Sequence, residues 1–193
     1  MTDRGVWLGM RDRRLGGPLH ALEEWDLVVS GAHRYNGQAY SPSGDKGRYV
    51  LPPAFRKVVK ESSGGSKTLC LAVHDRYNCL IGFGLSHTDG FDDQIEKEEE
   101  RAIRRNEDFD PDARAAQLYG FEQVPFDDSG RFVMPETFRD LDLAGDGLYF
   151  HGSGKFFMVW KPEELEQMGN DFRGAKAACK SQMAKVAAKG SKK

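Results

Sequence analysis

The sequence predicts an α+β protein, mainly β in its core, in which two similar halves form one pseudo-symmetric small β-barrel with flanking helices. Two observations lead to this fold class. First, a ten-residue phrase that begins at Gly47 recurs at Gly130. Second, each half contains only a few short apolar runs, so a single half has too thin a core to be stable alone.

The repeated phrase reads GRYVLPPAFR at 47–56 and GRFVMPETFR at 130–139, an offset of 83 residues. Glycine, arginine, valine, proline, phenylalanine and a second arginine occupy the same places in both copies. An internal repeat indicates that the chain is built from two related units. Whatever Arg48 does, Arg131 is therefore expected to do a second time.

Each copy predicts a turn, a short strand and a short helix. The Asp and Gly residues before Arg48 and Arg131 are typical of tight turns, where glycine adopts positive φ at little cost. The apolar run that follows is β-like and ends at proline. That proline is expected to begin a helix, 52–59 in the first half and 135–140 in the second, which a phenylalanine packs against the sheet.

A hairpin of two apolar strands follows in each half, at 69–83 and at 148–160. Between the halves, the charge-rich stretch 88–120 is expected to form a helical linker. Asp110 followed by Pro111 is typical of a helix N-terminus within it. The predicted segments are, in chain order, an N-terminal extension (1–33), a first half (34–87), the linker (88–120), a second half (121–168) and a basic tail rich in alanine and lysine (169–193). The extension is either a flexible arm or the product of a misassigned translation start.

Composition excludes few functions. The 193-residue chain has a net charge of −2, so overall charge gives no support for nucleic-acid binding. Its three cysteines contain no CxxC pair, which favours reduced thiols in a cytosolic protein. No apolar stretch is long enough to span a membrane, and the N-terminus lacks the apolar segment of a signal peptide.

Side chains capable of catalysis or metal binding show no recognisable pattern. The spacing of Cys70, His74 and Cys79 matches no set of metal ligands. The Gly-Ser-Gly at 152–154 is typical of a hairpin turn and not of a phosphate loop, because no helix follows it. We therefore predict no enzymatic activity, metal, cofactor or small-molecule substrate.

The two turn arginines are the strongest candidates for a functional site. A single exposed arginine after a turn is common and needs no function. Two copies within the same phrase of a pseudo-symmetric fold should project from one edge. Because arginine can bind phosphate or guanine through two hydrogen bonds at once, Arg48 and Arg131 are candidate DNA contacts.

The phrase, present twice, resembles the MraZ family of bacterial transcriptional regulators, whose halves are of the SpoVT/AbrB swapped-hairpin type. The resemblance extends from Tyr35 through Trp160 and the helix that follows. The family signature D-x-x-x-R is complete in the second half, as Asp127 and Arg131. In the first half Gly44 stands at the Asp position, and the acidic residue follows it.

This resemblance implies a cytoplasmic, nucleoid-associated regulator, expected to be a repressor. Such proteins form homo-oligomeric rings and bind short direct repeats in double-stranded DNA upstream of their own gene, at the head of the division and cell wall gene cluster. Arg139 would extend the site in the second half. The predicted DNA-binding residues are Arg48, Arg131, Lys46, Arg56, Asp127, Gly47 and Gly130.

An alternative is an AbrB-like protein-interaction module, such as an antitoxin or a scaffold, whose main ligand is protein. The charge-rich linker would suit that function. A disordered, partner-binding C-terminal tail would distinguish it, and the tail of this chain is basic rather than amphipathic.

Overall fold

The structure, a computed structural model, describes residues 33–190. It has an α+β fold with a mostly antiparallel sheet and several helices, which confirms the predicted class. The predicted N-terminal extension lies outside the described residues except for His33, and so do the last three lysine-rich positions, 191–193.

Pairs of strands are separated by one or two α-helices along this part of the chain. The strands are β1 (Gln38–Pro42), β2 (Arg48–Val50), β3 (Thr68–Val73), β4 (Leu80–Phe83), β5 (Glu122–Pro125), β6 (Arg131–Val133), β7 (Gly147–Gly152) and β8 (Phe157–Trp160). The α-helices are α1 (Pro53–Ser62), α2 (Phe91–Arg105), α3 (Pro111–Tyr119), α4 (Glu136–Asp140), α5 (Pro162–Gln167) and α6 (Arg173–Gly190). Within residues 33–190, none of these helices is both long and apolar enough to cross a membrane.

Proline and aspartate set where several helices begin. Proline is tolerated in the first turn because no intrahelical partner exists there for an N–H group. Pro53 and Pro111 begin α1 and α3 in this way, and α4 begins directly after Pro135. Asp110 caps α3 as predicted, since its Oδ1 accepts the backbone N–H groups of the second and third helical residues at 3.0 Å.

The main sheet exchanges strands between the two halves of the chain. Its six strands lie in the order β1-β7-β8-β4-β3-β5, and every neighbouring pair is antiparallel. The first strand of the first half, β1, pairs with β7, and the first strand of the second half, β5, pairs with β3. Because each half supplies an outer strand to the other half, neither half has a complete sheet of its own.

The single closed barrel expected from the sequence is not found among residues 33–190. The outer strands β1 and β5 do not pair with each other, and β2 and β6 form a separate two-stranded ladder. Both of these strands are only three residues long, and each reaches a proline two residues later, Pro52 and Pro135. Proline lacks the N–H that a longer ladder would require, so the ribbon cannot extend to close the sheet.

An aromatic core holds the helices of the repeated phrase against the main sheet. Phe55 of α1 stacks on Phe157 of β8 with ring centroids 4.9 Å apart, and Phe138 of α4 is also buried. Tyr35 lies against the same rings, and its hydroxyl accepts the Gly84 N–H at 2.9 Å. Burial raises the pKa of Tyr35 to about 12. The two phenylalanines therefore pack as the sequence predicted.

The linker helices are joined to each other and to the β3–β4 turn by one arginine. Arg114 of α3 reaches Glu98 of α2 through Nε at 2.7 Å and Asp75 of the turn through Nη1 at 3.0 Å. Burial opposes ionisation of Glu98, but hydrogen bonds from Arg114 and Gln94 outweigh it and lower the pKa of that carboxyl. This half-buried guanidinium fixes α2 and α3 relative to the β3–β4 turn.

Candidate nucleic-acid interface

The short strands β2 and β6 form an antiparallel ribbon with one buried and one exposed face. Tyr49 pairs with Phe132 at its centre, and both side chains point into the core with ring centroids 6.0 Å apart. Since side chains alternate along a strand, the flanking residues point outward. The exposed side chains, which we call the ribbon face, are those of Arg48, Val50, Arg131 and Val133.

The two arginines of the ribbon face lie diagonally across the ladder. Arg48 is opposite Val133, and Arg131 is opposite Val50. Diagonal neighbours in an antiparallel pair are separated by about 7–8 Å. Both arginines line the same two adjoining surface depressions, of about 490 and 350 Å³. The structure thus brings Arg48 and Arg131 together on one surface.

Each arginine follows a turn that requires glycine. Gly47 has φ of 65° and Gly130 has φ of 82°, in the left-handed region that the sequence predicted. Each turn is also bonded to the residue that follows the opposite strand. The Leu51 N–H donates to the Gly130 carbonyl at 2.7 Å, and the Met134 N–H donates to the Gly47 carbonyl at 3.2 Å. The ribbon is therefore closed by hydrogen bonds at both ends.

The arginine at the end of each repeated phrase reaches the turn of the other half. Arg56 donates from Nη1 to the Asp128 carbonyl at 2.8 Å. Nη1 of Arg139 lies 3.4 Å from the position that a Cβ on Gly47 would occupy. Arg56 is half-buried and contributes to holding the second turn, whereas Arg139 is exposed.

Asp127 fixes the side chain of Arg131. Its Oδ1 accepts the backbone N–H groups of Ser129 and Arg131, each at 2.9 Å, and its Oδ2 accepts Nε of Arg131 at 2.6 Å. These hydrogen bonds lower the pKa of Asp127. The D-x-x-x-R signature is thus a local clamp that orients Arg131 and partly offsets its charge.

Arg48 has no equivalent clamp. Gly44 occupies the place that corresponds to Asp127, and its backbone makes the corresponding turn by donating its N–H to the Arg48 carbonyl at 2.7 Å. Among the described residues, Arg48 forms no side-chain hydrogen bond or ion pair. Lys46 is exposed in the same turn with a φ of 62°. Within residues 33–190, the first turn therefore presents two cations that form no ion pair.

Further lysines that sequence reasoning missed lie beside the second turn. They line a depression of about 250 Å³ that adjoins the ribbon face at Asp127. We call the basic residues that line this depression the basic rim. They are Arg56, Lys57, Lys60 and Lys67. Lys67 also forms an ion pair with Asp128 at 2.5 Å. Arg56 and Lys60 stand four residues apart on a helix, a spacing that could have placed them on one face.

The cysteine, histidine and acidic side chains of the described residues form no metal site and no reactive thiol. Within the described part of the chain, no cluster of three or more His, Cys, Asp or Glu side chains could hold a metal ion. Cys70, Cys79 and Cys179 are buried thiols. Burial raises the pKa of Cys70 and of Cys179 to about 11, so both are protonated near neutral pH.

The chain is similar to curated proteins that share one name, transcriptional regulator MraZ. The protein from Ruegeria pomeroyi is 24% identical over 144 residues, which cover 70% of this chain and 82% of the relative. The protein from Rhodospirillum rubrum is 26% identical over 125 residues, covering 63% and 75%. The one from Rickettsia bellii is 28% identical over 123 residues, covering 63% and 76%. No family model matches the chain.

Proposed function

Because this chain belongs to the MraZ family, we propose that it is a transcriptional regulator that binds double-stranded DNA through the ribbon face. The observation that carries the proposal is the diagonal pair of exposed arginines, Arg48 and Arg131, on one rigid two-stranded ribbon. The major groove of B-DNA admits a two-stranded β-ribbon, and arginine is the side chain most often used to recognise guanine there.

The spacing on the ribbon face suits base recognition. Bases along one strand of B-DNA rise by about 3.4 Å each, so arginines about 7–8 Å apart span roughly two base-pair steps. Val50 and Val133 stand beside the arginines and are 42% and 47% exposed. Exposed branched side chains of this kind can contact the methyl group of thymine. The ribbon face thus combines two guanine-binding groups with two apolar contacts.

The basic rim and Lys46 supply phosphate contacts in this proposal. Arg56, Lys57 and Lys60 project from α1 beside the ribbon, where the DNA backbone would pass. Phosphate contacts orient a protein on the duplex and strengthen binding without selecting a sequence. We expect Arg48 to contribute more than Arg131, because no carboxylate in the described part of the chain pairs with Arg48.

The finer details of the proposal come from the family. We propose two SpoVT/AbrB-type halves that exchange hairpins, an arrangement supported by the reciprocal pairing of β1 with β7 and of β5 with β3. We also propose a cytoplasmic, nucleoid-associated repressor that assembles into a homo-oligomeric ring. It would bind direct repeats upstream of its own gene in the division and cell wall cluster. A chain with net charge −2 supports assembly, because several subunits must combine their contacts for useful affinity.

The test is a salt titration of DNA binding by fluorescence anisotropy. The probes are a duplex from the region upstream of the chain's own gene and a scrambled duplex of the same composition. Arg48→Ala and Arg131→Ala are compared with Arg105→Ala, a matched control at the exposed end of α2. Circular dichroism checks that each variant is folded.

Loss of a base contact should weaken binding to the upstream duplex by about 1–3 kcal/mol and reduce preference over the scrambled duplex. Loss of a phosphate contact should instead flatten the slope of log affinity against log salt by about 0.9 per contact. Unchanged affinity in the double variant would refute the ribbon face as the interface and favour a protein-interaction module. Light scattering tests the ring separately, and a monomer at all micromolar concentrations would contradict it.

A further inference from the structure

A second site lies away from the ribbon face, between the linker helices and the main sheet. A cavity of about 160 Å³ opens between the β3–β4 hairpin, the helices α2 and α3, and the turn that precedes β8. Its wall combines aromatic and basic side chains with aliphatic and amide side chains. The aromatic and basic residues of the wall are His74, Phe83, His87, Phe91, Lys155 and Phe156.

The apolar part of the cavity is built from aromatic rings in tilted and edge-to-face contact. Phe83 and Phe91 pack at 81° with centroids 6.0 Å apart, and His87 lies 4.7 Å from Phe83. Phe156 stands across from His87 at 6.3 Å. A dry cavity of roughly 150 Å³ lined by apolar side chains is large enough for benzene. The volume and the lining therefore suit one aromatic ring.

The polar part of the cavity presents hydrogen-bond donors. His74 accepts the Arg76 N–H through Nδ1 at 3.0 Å, so the proton of its neutral ring is on Nε2. His87 is half-buried, and its ring makes no hydrogen bond to any described residue, although its backbone N–H donates to the Gly84 carbonyl at 3.0 Å. Among the described residues, every fully buried side-chain nitrogen or oxygen has a hydrogen-bond partner. The ring nitrogens of His87, a residue that lines the cavity, are therefore not fully buried.

Lys155 places a positive charge at the cavity mouth. Lys155 is exposed and forms no ion pair with any described residue. The one acidic residue in the wall, Asp75, is already paired with Arg114 at 3.0 Å. Gln117 accepts a hydrogen bond from the same guanidinium through its amide oxygen, at 3.1 Å, which leaves its amide N–H groups free to donate. The donors that Lys155, His87 and Gln117 offer at the mouth thus favour an anion.

We propose that this cavity is a binding site for a small organic anion that combines one aromatic ring with a carboxylate or similar acidic group. The ring occupies the space among Phe83, Phe91 and Phe156. The acidic group accepts hydrogen bonds from Lys155 and His87. Such a site would give the protein a small-molecule ligand in addition to DNA, bound on a different surface.

Phenylacetate is the probe, and 2-phenylethanol is its uncharged counterpart of similar size. Binding is measured with the full chain by NMR titration, following the shifts of the histidine and phenylalanine rings. Lys155→Met should weaken phenylacetate binding by about three- to tenfold, as expected for a partly exposed charge-assisted contact, and leave 2-phenylethanol unchanged. Lys185→Met, on the exposed face of α6, is the matched control and should change neither.

A second variant tests the cavity itself. Leu118→Trp fills the half-buried wall on α3 and should abolish binding of both probes while circular dichroism shows a folded protein. Equal affinity for the acid and the alcohol would overturn the anion site. Absence of any phenylacetate shift at millimolar concentration would also overturn it. Shifts at the cavity that grow with protein concentration alone would show an interface between copies of the chain and overturn the ligand proposal.

Discussion

Substituting Gly130 by alanine tests whether the two halves are held together at the ribbon. A Cβ at this position would lie 2.7 Å from the Leu51 carbonyl oxygen and 3.0 Å from Nη1 of Arg56. The backbone of Leu51 cannot move away easily, because its N–H donates to the Gly130 carbonyl at 2.7 Å. The Gly130→Ala variant must therefore strain the residue and weaken the contact between the halves.

Gly65 provides a matched control for the cost of the backbone conformation alone. Its φ of 87° is close to the 82° of Gly130, but a Cβ there would meet nothing within 4 Å. A left-handed alanine costs about 1–2 kcal/mol. Loss of the hydrogen bond between Leu51 and Gly130 adds about 1 kcal/mol. We expect Gly130→Ala to lower the free energy of unfolding by about 2–3 kcal/mol and Gly65→Ala by about 1–2 kcal/mol.

Thermal and urea unfolding followed by circular dichroism measure this difference. At about 2–4 °C per kcal/mol for a domain of this size, the melting temperature of Gly130→Ala should fall by about 4–12 °C. Affinity for the upstream duplex should fall as well, since Arg131 follows the strained turn directly. The reasoning is wrong if Gly130→Ala is no less stable than Gly65→Ala, because the clash with Leu51 would then have no energetic consequence.

Two further substitutions test the unequal turns and the linker. Gly44→Asp introduces a carboxylate at the place that corresponds to the clamp of the second half, and a Cβ is tolerated there at 3.5 Å from its nearest contact. We expect it to pair with Arg48 and weaken DNA binding severalfold without loss of stability, as measured by anisotropy and circular dichroism; unchanged affinity would show that Arg48 needs no freedom to bind. Arg114→Ala leaves Asp75 and Glu98 without their shared cation and should lower the free energy of unfolding by about 1–3 kcal/mol in urea at pH 7. Because the pKa of Glu98 is lowered in the folded chain, this stabilisation is present above the ordinary value of 4.5 and is lost as the pH falls below it. The two unfolding curves should converge below about pH 4, and a constant gap would exclude the ion pairs as its cause.

The features that the sequence predicted correctly are those determined by neighbouring residues. Gly47 and Gly130 adopt positive φ because each lies in a tight turn before its arginine, and glycine takes this conformation at little cost. Prolines mark the start of the short helices because they lack an N–H, and Asp110 caps α3 because its carboxylate reaches the first free N–H groups. Each of these outcomes depends on interactions across two to four residues.

The features that the sequence did not predict depend on contacts between distant residues. The repeat indicated that the halves share a core, but it did not show that β1 and β5 would each pair in the opposite half and leave the sheet open. Arg114 pairs with Glu98 across 16 positions, which no helical spacing indicates. Lys67 joins the basic rim only because β5 places the second turn beside it.

The difference between the two turns has a consequence for how the protein would lie on DNA. A ribbon with two identical arginines would present the same contacts after rotation by half a turn and would suit a palindromic site. Here Arg131 is fixed by Asp127, whereas Arg48 is unclamped and accompanied by Lys46. A subunit with unequal contacts binds more favourably in one orientation than in the other. Identical subunits of an assembly would then prefer sites that repeat in the same direction, which is the arrangement that we propose for its operator.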